Sequence, residues 1–366
     1  MKPQVLVIYV LEHLLVVLCR GILDILYLAL SQDQADHGPD EMGSLGARDF
    51  GELRMLVSVV IPTLNRPKLL LRAIDSVLSQ THQQTEVIVV VDRPDEGTVS
   101  AVQSVDDPRL KLIVNPYSLT AAGARNAGAD HATGEWIAFL DDDDEWLPNK
   151  LERQIAFASG RAPALVSCLS RVVTPTATYV RPQVIYDNSI PLDEYLFDRR
   201  SLFRGSGFIQ TSSYLLPRQL FDKVRFDVES PHDDWGFLLR LSKQVGARIE
   251  TVPEVLLVLY FEQQRPSLTS RTSSWSVSLR WLDSIQPIMT RRAYSGFCLG
   301  VVGSRAAQEG AYAAFPELLS RAFRNGSPGL WQVLLFLTYW LTPHGFQGRL
   351  RSLFRGRPGL RRARRL

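Results

Sequence analysis

The chain has 366 residues, 45% hydrophobic and 22% charged, a globular composition that excludes collagen-like, low-complexity and wholly disordered chains. Its net charge of +3 hides an asymmetry: residues 349–366 hold eight arginines and no acid, so the remainder stands at −5, which argues against a nucleic-acid partner. Three widely spaced cysteines, Cys19, Cys168 and Cys298, exclude a disulfide framework and a cysteine zinc site, and fit a reducing compartment.

Four zones follow: an apolar segment over 1–30, a polar linker over 31–54, alternating strand and helix patterns over 55–270, and a helical region with a basic end over 271–366. The first is interrupted by Glu12, His13, Arg20 and Asp24, which fall within about 120° of one another on a helix. Four such groups disfavour a spanning helix, and acids inside the apolar run disfavour a signal peptide. Two readings stand. One is an amphipathic helix lying on a membrane or on the protein's own body. The other is a gene start set too far upstream, with Met55 as the true first residue.

From residue 56 the pattern is regular. Residues 56–61 are a β-branched apolar run ended by Pro62 and read as a buried strand. Leu70, Ala73, Ile74, Val77 and Leu78 carry the spacing of a helix with one buried face. Residues 86–91 and 110–114 are the next strands, 121–132 a small-residue helix, and 136–140 a fourth strand. Leu147, Leu151, Ile155 and Ala158 mark the helix after it, with Pro148 in its first turn. Strands alternating with helices predict an α/β fold, a mostly parallel sheet covered on both faces. Ligands of such sheets bind at the carboxyl ends of the strands, which selects residues 63–66, Asp92 and residues 141–144.

Four consecutive aspartates, Asp141, Asp142, Asp143 and Asp144, follow the fourth strand. Packed carboxylates raise one another's pKa unless a cation compensates. A strand end delivers alternate residues to opposite sides, so Asp141 and Asp143 suit a divalent ion bound with a diphosphate. A solvated acidic turn capping the next helix is the plain alternative; the buried strand before it favours the site. Asp233 and Asp234 open a second helix, whose dipole favours ionised carboxylates; there a carboxylate serves either as a general base or as a simple cap. Arg125, in the small-residue run Ala121-Ala-Gly-Ala-Arg-Asn-Ala-Gly128, offers a planar fork for phosphate or carboxylate, or is an exposed residue of a tightly packed helix.

In this order the chain carries Val57-Ser-Val-Val-Ile-Pro-Thr-Leu-Asn-Arg66, a strand ending in Asp92, Ala124-Arg-Asn-Ala-Gly128, Gly134-Glu-Trp-Ile-Ala-Phe-Leu-Asp-Asp-Asp-Asp-Glu-Trp146 with Lys150-Leu-Glu-Arg-Gln154, and Asp233-Asp-Trp235. The series resembles the family 2 glycosyltransferases over roughly residues 56–265. The resemblance implies a GT-A fold with a Rossmann-like nucleotide-binding half and inverting transfer of a sugar from a nucleoside-diphosphate sugar to a hydroxyl of a glycan or lipid-linked acceptor, in cell-surface polysaccharide or glycolipid synthesis. On that likeness Pro62, Thr63, Asn65 and Arg66 line the nucleotide pocket, Asp92 meets the base or ribose, and Arg125 stands near the nucleotide. Asp141 and Asp143 take the DxD positions that hold Mg²⁺ or Mn²⁺, and Asp142 lies near the ribose. Asp234 is the base, with Asp233 in place of the usual glutamate. The segment 205–213 resembles the lining of the sugar and acceptor cleft. Arg93-Pro94 follows Asp92 where the family often has a second acid. Glu262 and Gln263 replace a basic residue and a histidine, leaving Arg265 for the diphosphate. A nucleotidyltransferase and a non-catalytic nucleotide-sugar-binding protein are the rival classes.

Residues 276–323 have helical apolar spacing broken at Pro287 and Pro316. Residues 331–341 are strongly apolar but too short to span a bilayer. Aromatic ends and following arginines suit an interfacial helix on anionic lipid, with the protein cytoplasmic and peripheral on the inner face of the plasma membrane; the alternative is a helix docked on the catalytic domain. Because the nucleotide and base residues precede position 270, everything after Gly326 is expected to be dispensable for chemistry.

Overall fold

Parallel pairing organises the first half of the molecule. The computed structural model describes residues 55–199, 207–261 and 274–341; the segment 1–30, the linker 31–54, Arg265 and the arginine-rich end lie outside the described residues. Strands β1 (Val57–Thr63), β2 (Thr85–Val91), β3 (Leu110–Val114) and β4 (Trp136–Phe139) alternate with helices α1 (Pro67–Leu78), α2 (Glu96–Gln103) and α3 (Thr120–Asp130). They pair in the order β3-β2-β1-β4, all parallel. Every residue of β1 and β2 is buried, because helices cover both faces and the strands need no polar alternation.

Pro62 does not end β1; it pairs opposite Val90. The Val60 carbonyl accepts from Leu140 N–H, and the Thr63 carbonyl accepts from Asp92 N–H. Even-numbered residues of β1 therefore address β4, whose register with β1 stops at Val60. The N–H that proline lacks falls on the side where no ladder bond remains to be made.

The second half turns the sheet mixed. Its elements are β5 (Glu145–Trp146), α4 (Lys150–Ala158), β6 (Ala164–Val173), β7 (Thr178–Arg181), α5 (Leu192–Phe197), β8 (Leu215–Pro217), α6 (Arg218–Phe221), α7 (Asp233–Lys243) and β9 (Arg248–Tyr260). β8 joins β4 antiparallel, β6 joins β8 antiparallel, β9 joins β6 in parallel, and β5 closes on β9 antiparallel, with β7 paired to β6. The mostly parallel expectation thus holds for the first half of the fold, and an antiparallel extension completes nine strands among the described residues.

Helices α8 (Trp275–Ile285) and α9 (Arg291–Gly296) follow, the latter running through a π-helical stretch, Phe297–Val302, into α10 (Gly303–Gln308), and then α11 (Ala314–Asn325) and α12 (Leu330–Leu341). Pro287 sits in a short 3₁₀ turn and Pro316 in the first turn of α11, where proline costs little. These helices share one apolar core with the sheet: Phe139, Phe237, Leu282, Phe297, Leu318 and Phe336 belong to a single cluster.

α12 is docked. Its two buried residues are Gln332 and Phe336, one turn apart. Gln332 Nε2 donates to Asp198 Oδ1 at 2.6 Å and its Oε1 accepts Gly329 N–H at 3.1 Å. Phe336 stacks on Phe315 at 5.0 Å and lies over Gly303, where a Cβ would stand 2.6 Å from its ring. Losing a buried phenylalanine costs about 3–5 kcal/mol. The expectation that residues after Gly326 are dispensable therefore fails for α12 and is left only for those beyond Leu341.

Candidate active site

Register places the selected residues at one end of the sheet. Thr63 pairs with Val91 and Val60 with Phe139, so Thr63, Asp92 and the aspartates leave three neighbouring parallel strands side by side. They line a cavity of about 330 Å³ whose wall includes Pro62, Thr63, Arg66, Asp92, Arg125 and all four aspartates. Asn65 is exposed and outside that wall. Its φ of 54° turns the chain between Thr63 and Arg66, a conformation that asparagine tolerates.

The four acids differ. Asp144 N–H closes on the Asp141 carbonyl at 3.1 Å, a turn with Asp142 and Asp143 at its crest. Thr63 Oγ1 donates to Asp142 Oδ2 at 2.7 Å, and Arg66 Nη1 reaches Asp142 Oδ1 at 3.1 Å and Asp143 Oδ2 at 3.2 Å. Burial nonetheless pushes the Asp142 carboxyl up to about 6 against the pull of Arg66 and Thr63. Asp144 is buried and held well above the usual carboxylate range by desolvation, then by the charges of Asp141 and Asp143, while a hydrogen bond from Ser212 Oγ opposes the shift. Asp141 and Asp143 are the more exposed pair, at 23% and 29% of their side-chain surface, and stand as two hard-oxygen donors on the cavity wall.

Arg125 links this turn to α7. Its Nη2 donates to Asp141 Oδ1 at 2.6 Å and its Nη1 to Asp233 Oδ2 at 2.9 Å. Burial opposes its charge, yet Asp141 and Asp233 outweigh that and raise its pKa above the ordinary value. Asp234, beside Asp233 in the first turn of α7, accepts Trp235 N–H at 2.8 Å. Burial, then the Asp233 charge, pushes its carboxyl up to about 6, the basicity useful in a proton acceptor at neutral pH.

Close packing brings Arg125 there. Gly128 of α3 lies against β1 and β2 so tightly that a Cβ would stand 2.3 Å from Val60 Cγ1. The carboxylate of Asp92 accepts Leu119 N–H at 2.7 Å and the Ser118 hydroxyl, which fixes the loop entering α3. At the start of α7, His232 is buried among Trp235, Trp281 and Phe297, with ring centroids 4.8–5.3 Å away. It hydrogen-bonds Ser278 Oγ at 3.2 Å. Desolvation and the Arg305 charge lower its pKa to about 3, so it is neutral at pH 7.

Several contributors escape a sequence reading. Arg72 donates to the Asp143 carbonyl at 2.6 Å and stacks over Tyr260 at 4.0 Å. Gln210 and Phe261 line the cavity; for Gln210 the likeness of residues 205–213 was the signal. Ser212 lies in the same segment without a role of its own there, and nothing in local pattern marks His232.

A nucleotide-sized, acid-walled cavity at the carboxyl ends of a parallel half-sheet, tied by one arginine to carboxylates at a helix start, has the make-up of a nucleotide-dependent group transferase. The profile of "Glycosyl transferase family 2" matches residues 58–225. The chain is 40% identical over 232 residues to the GalNAc(5)-diNAcBac-PP-undecaprenol beta-1,3-glucosyltransferase of Campylobacter jejuni, covering 62% of this chain and 72% of that protein. It is 29% identical over 250 residues to the amylovoran biosynthesis glycosyltransferase AmsB of Erwinia amylovora, covering 64% and 79%. Among solved structures, S. aureus TarS 1-349 in complex with UDP-GlcNAc aligns over 81% of this chain and 92% of that one, at 16% identity and a TM-score of 0.51, a likeness of fold. The chain belongs to glycosyltransferase family 2, and its α/β sheet is of the GT-A kind.

Gly128→Ala is expected to lower unfolding free energy by about 1–3 kcal/mol through overpacking and to reduce turnover by displacing Arg125. Chemical denaturation with a donor-turnover assay checks both; unchanged stability would contradict the packing account.

Proposed function

We propose that the protein transfers a sugar, with inversion, from a nucleoside-diphosphate sugar to a hydroxyl of a lipid-linked glycan, in building a cell-surface polysaccharide or glycolipid. The observation that carries the reading is the Arg125 bridge, which holds the acid turn and the Asp233–Asp234 helix start in one site. The likeness to the Campylobacter relative, named as a beta-1,3-glucosyltransferase of an undecaprenol-diphosphate-linked glycan, supports the acceptor class.

The donor's nucleotide occupies the cavity beside Thr63, Arg66 and Asp92. Asp141 and Asp143 fit a divalent ion, since Mg²⁺ and Mn²⁺ take carboxylate oxygens together with substrate phosphates. When bound, Mg²⁺ or Mn²⁺ neutralises the diphosphate and makes it a better leaving group. Arg66 and Arg125, which pair with these acids, orient them and compensate part of their charge. Asp234 takes the acceptor hydroxyl proton as that oxygen attacks the anomeric carbon from the face opposite the diphosphate. The new glycosidic bond forms as the bond to the diphosphate breaks, so the configuration inverts.

Asp234→Asn keeps shape but not basicity, and is expected to lower turnover by ~10²-fold or more while donor binding survives. Because the Asp234 pKa is raised to about 6, kcat/KM is expected to fall as the pH drops through 6, where the carboxylate takes a proton. Equal loss of donor binding in the variant would make Asp234 a binding residue.

Activity is expected to vanish in EDTA, to return with Mn²⁺ or Mg²⁺, and to be lost in Asp143→Ala. Full turnover by metal-free protein would refute the metal's part.

We also place the protein on the inner face of the plasma membrane. α12 buries its polar Gln332 while Leu330 is 70% exposed, and eight arginines follow in residues 349–366. Each arginine near an anionic surface contributes roughly 1 kcal/mol. A chain ending at Leu341 keeps α12 docked, and is expected to leave anionic vesicles while retaining donor hydrolysis. Full-length protein that ignores such vesicles at low salt would remove the membrane assignment.

A further inference from the structure

Lys150 is fully buried, yet no part of the transfer uses it. Its Nζ lies 3.8 Å above the Trp146 ring and 2.7 Å from Gln154 Oε1. Gln154 Nε2 donates to the carbonyls of Val166 at 2.7 Å and Ser213 at 2.8 Å. Trp146 Nε1 donates to the Ser212 carbonyl at 2.8 Å. Ser212 then grips the acid turn at both ends: its Oγ accepts Asp141 N–H at 3.1 Å and donates to Asp144 Oδ2 at 2.5 Å. Lys150, Gln154 and Ser212 are each 0% exposed, and Trp146 is 2% exposed.

An ammonium with one acceptor and one aromatic face is a costly way to fill space, since an apolar side chain of similar volume avoids the desolvation penalty. What the charge adds is orientation. It holds the Trp146 ring by its π face and Gln154 by its oxygen, and these fix the two peptide groups on either side of Ser213, the ones that join it to Ser212 and to Tyr214. The Ser212 hydroxyl is thereby aimed at Asp141 N–H and Asp144 Oδ2. With residues 141 and 144 clamped, the crest residues Asp142 and Asp143 have one available arrangement.

We propose that Lys150, Trp146 and Ser212 are positioning residues, a buried relay that holds the aspartate turn in the shape that receives the donor diphosphate. The inference rests on reading that turn as the diphosphate seat. Second-layer partners of such sites typically change affinity by about 10–100-fold when removed.

The test is isothermal titration of the full chain with UDP, GDP, ADP, CDP and dTDP, each with Mn²⁺. The tightest of these is then titrated into Ser212→Ala, Ser212→Thr, Trp146→Phe and Lys150→Met, with thermal melting of each. Ser212→Ala, Trp146→Phe and Lys150→Met are each expected to weaken binding by about 10-fold, and Ser212→Thr, which keeps the hydroxyl, to restore most of it. Trp146→Phe combined with Lys150→Met is expected to weaken binding by less than the product of the two single losses, because the two share the Trp146–Ser212 hydrogen bond while Lys150 acts also through Gln154. Donor KM should rise more than kcat falls. Unchanged affinity in Ser212→Ala or Trp146→Phe protein that melts cooperatively overturns the relay, even if melting temperature drops. So do additive losses in the double variant. If Ser212→Ala does not fold, Trp146→Phe and Lys150→Met decide. Failure of the unchanged protein to bind any of the five removes the diphosphate-seat reading itself, and the relay with it.

Discussion

A single buried guanidinium holds the working end of this molecule together. Arg125 lies between Asp141 and Asp233 at hydrogen-bond distance from both, and the two acids come from elements more than ninety residues apart in sequence. Without a cation between them, the acid turn and the start of α7 would repel across a space that burial has made poorly screened. Buried ion pairs are weak sources of net stability; their effect here is to fix geometry. The strand ends, the glycine contact of α3 and the loop held by Asp92 all serve to put that guanidinium where it is.

Charge compensation also explains why four adjacent aspartates are tolerated after a buried strand. They are not equivalent. Asp142 and Asp144 are buried and turned toward Thr63, Arg66 and Ser212, whereas Asp141 and Asp143 remain the more accessible pair. All four line the cavity wall, and the pairs differ in how much of the side chain is left accessible there. Arg125 meets Asp141 on one flank of the turn, and Arg66 meets the adjacent Asp142 and Asp143 on the other.

The parallel half of the fold was legible from sequence because β1, β2 and β4 are unbroken apolar runs, and such runs have one stable setting, inside a covered sheet. The direction of β8 and β6 was not, since a short apolar strand reads the same whichever way it runs. Pro62 misled for a related reason: a proline is a strand breaker only where its missing N–H is needed, and that depends on how far β4 extends. Around the cavity, the aspartates and Asp234 stood out through residue type at a strand end and a helix start, and Arg125 through the small-residue run of its helix. Asn65 shared the motif but serves the turn. Ser212, Lys150 and His232 act through contacts set by tertiary packing, and no periodicity records such contacts.

The box around His232 redraws the boundary of the catalytic unit. Asp234 owes its place to a helix whose first residues are wedged against Trp281 and Phe297 and hydrogen-bonded to Ser278, all from helices beyond the sheet. The stretch matched by the family ends at residue 225, before Asp234, and the wall against which the start of α7 is braced comes from the helices after the sheet. An exchange of those helices would carry off that wall and leave the first turn of α7 without its support.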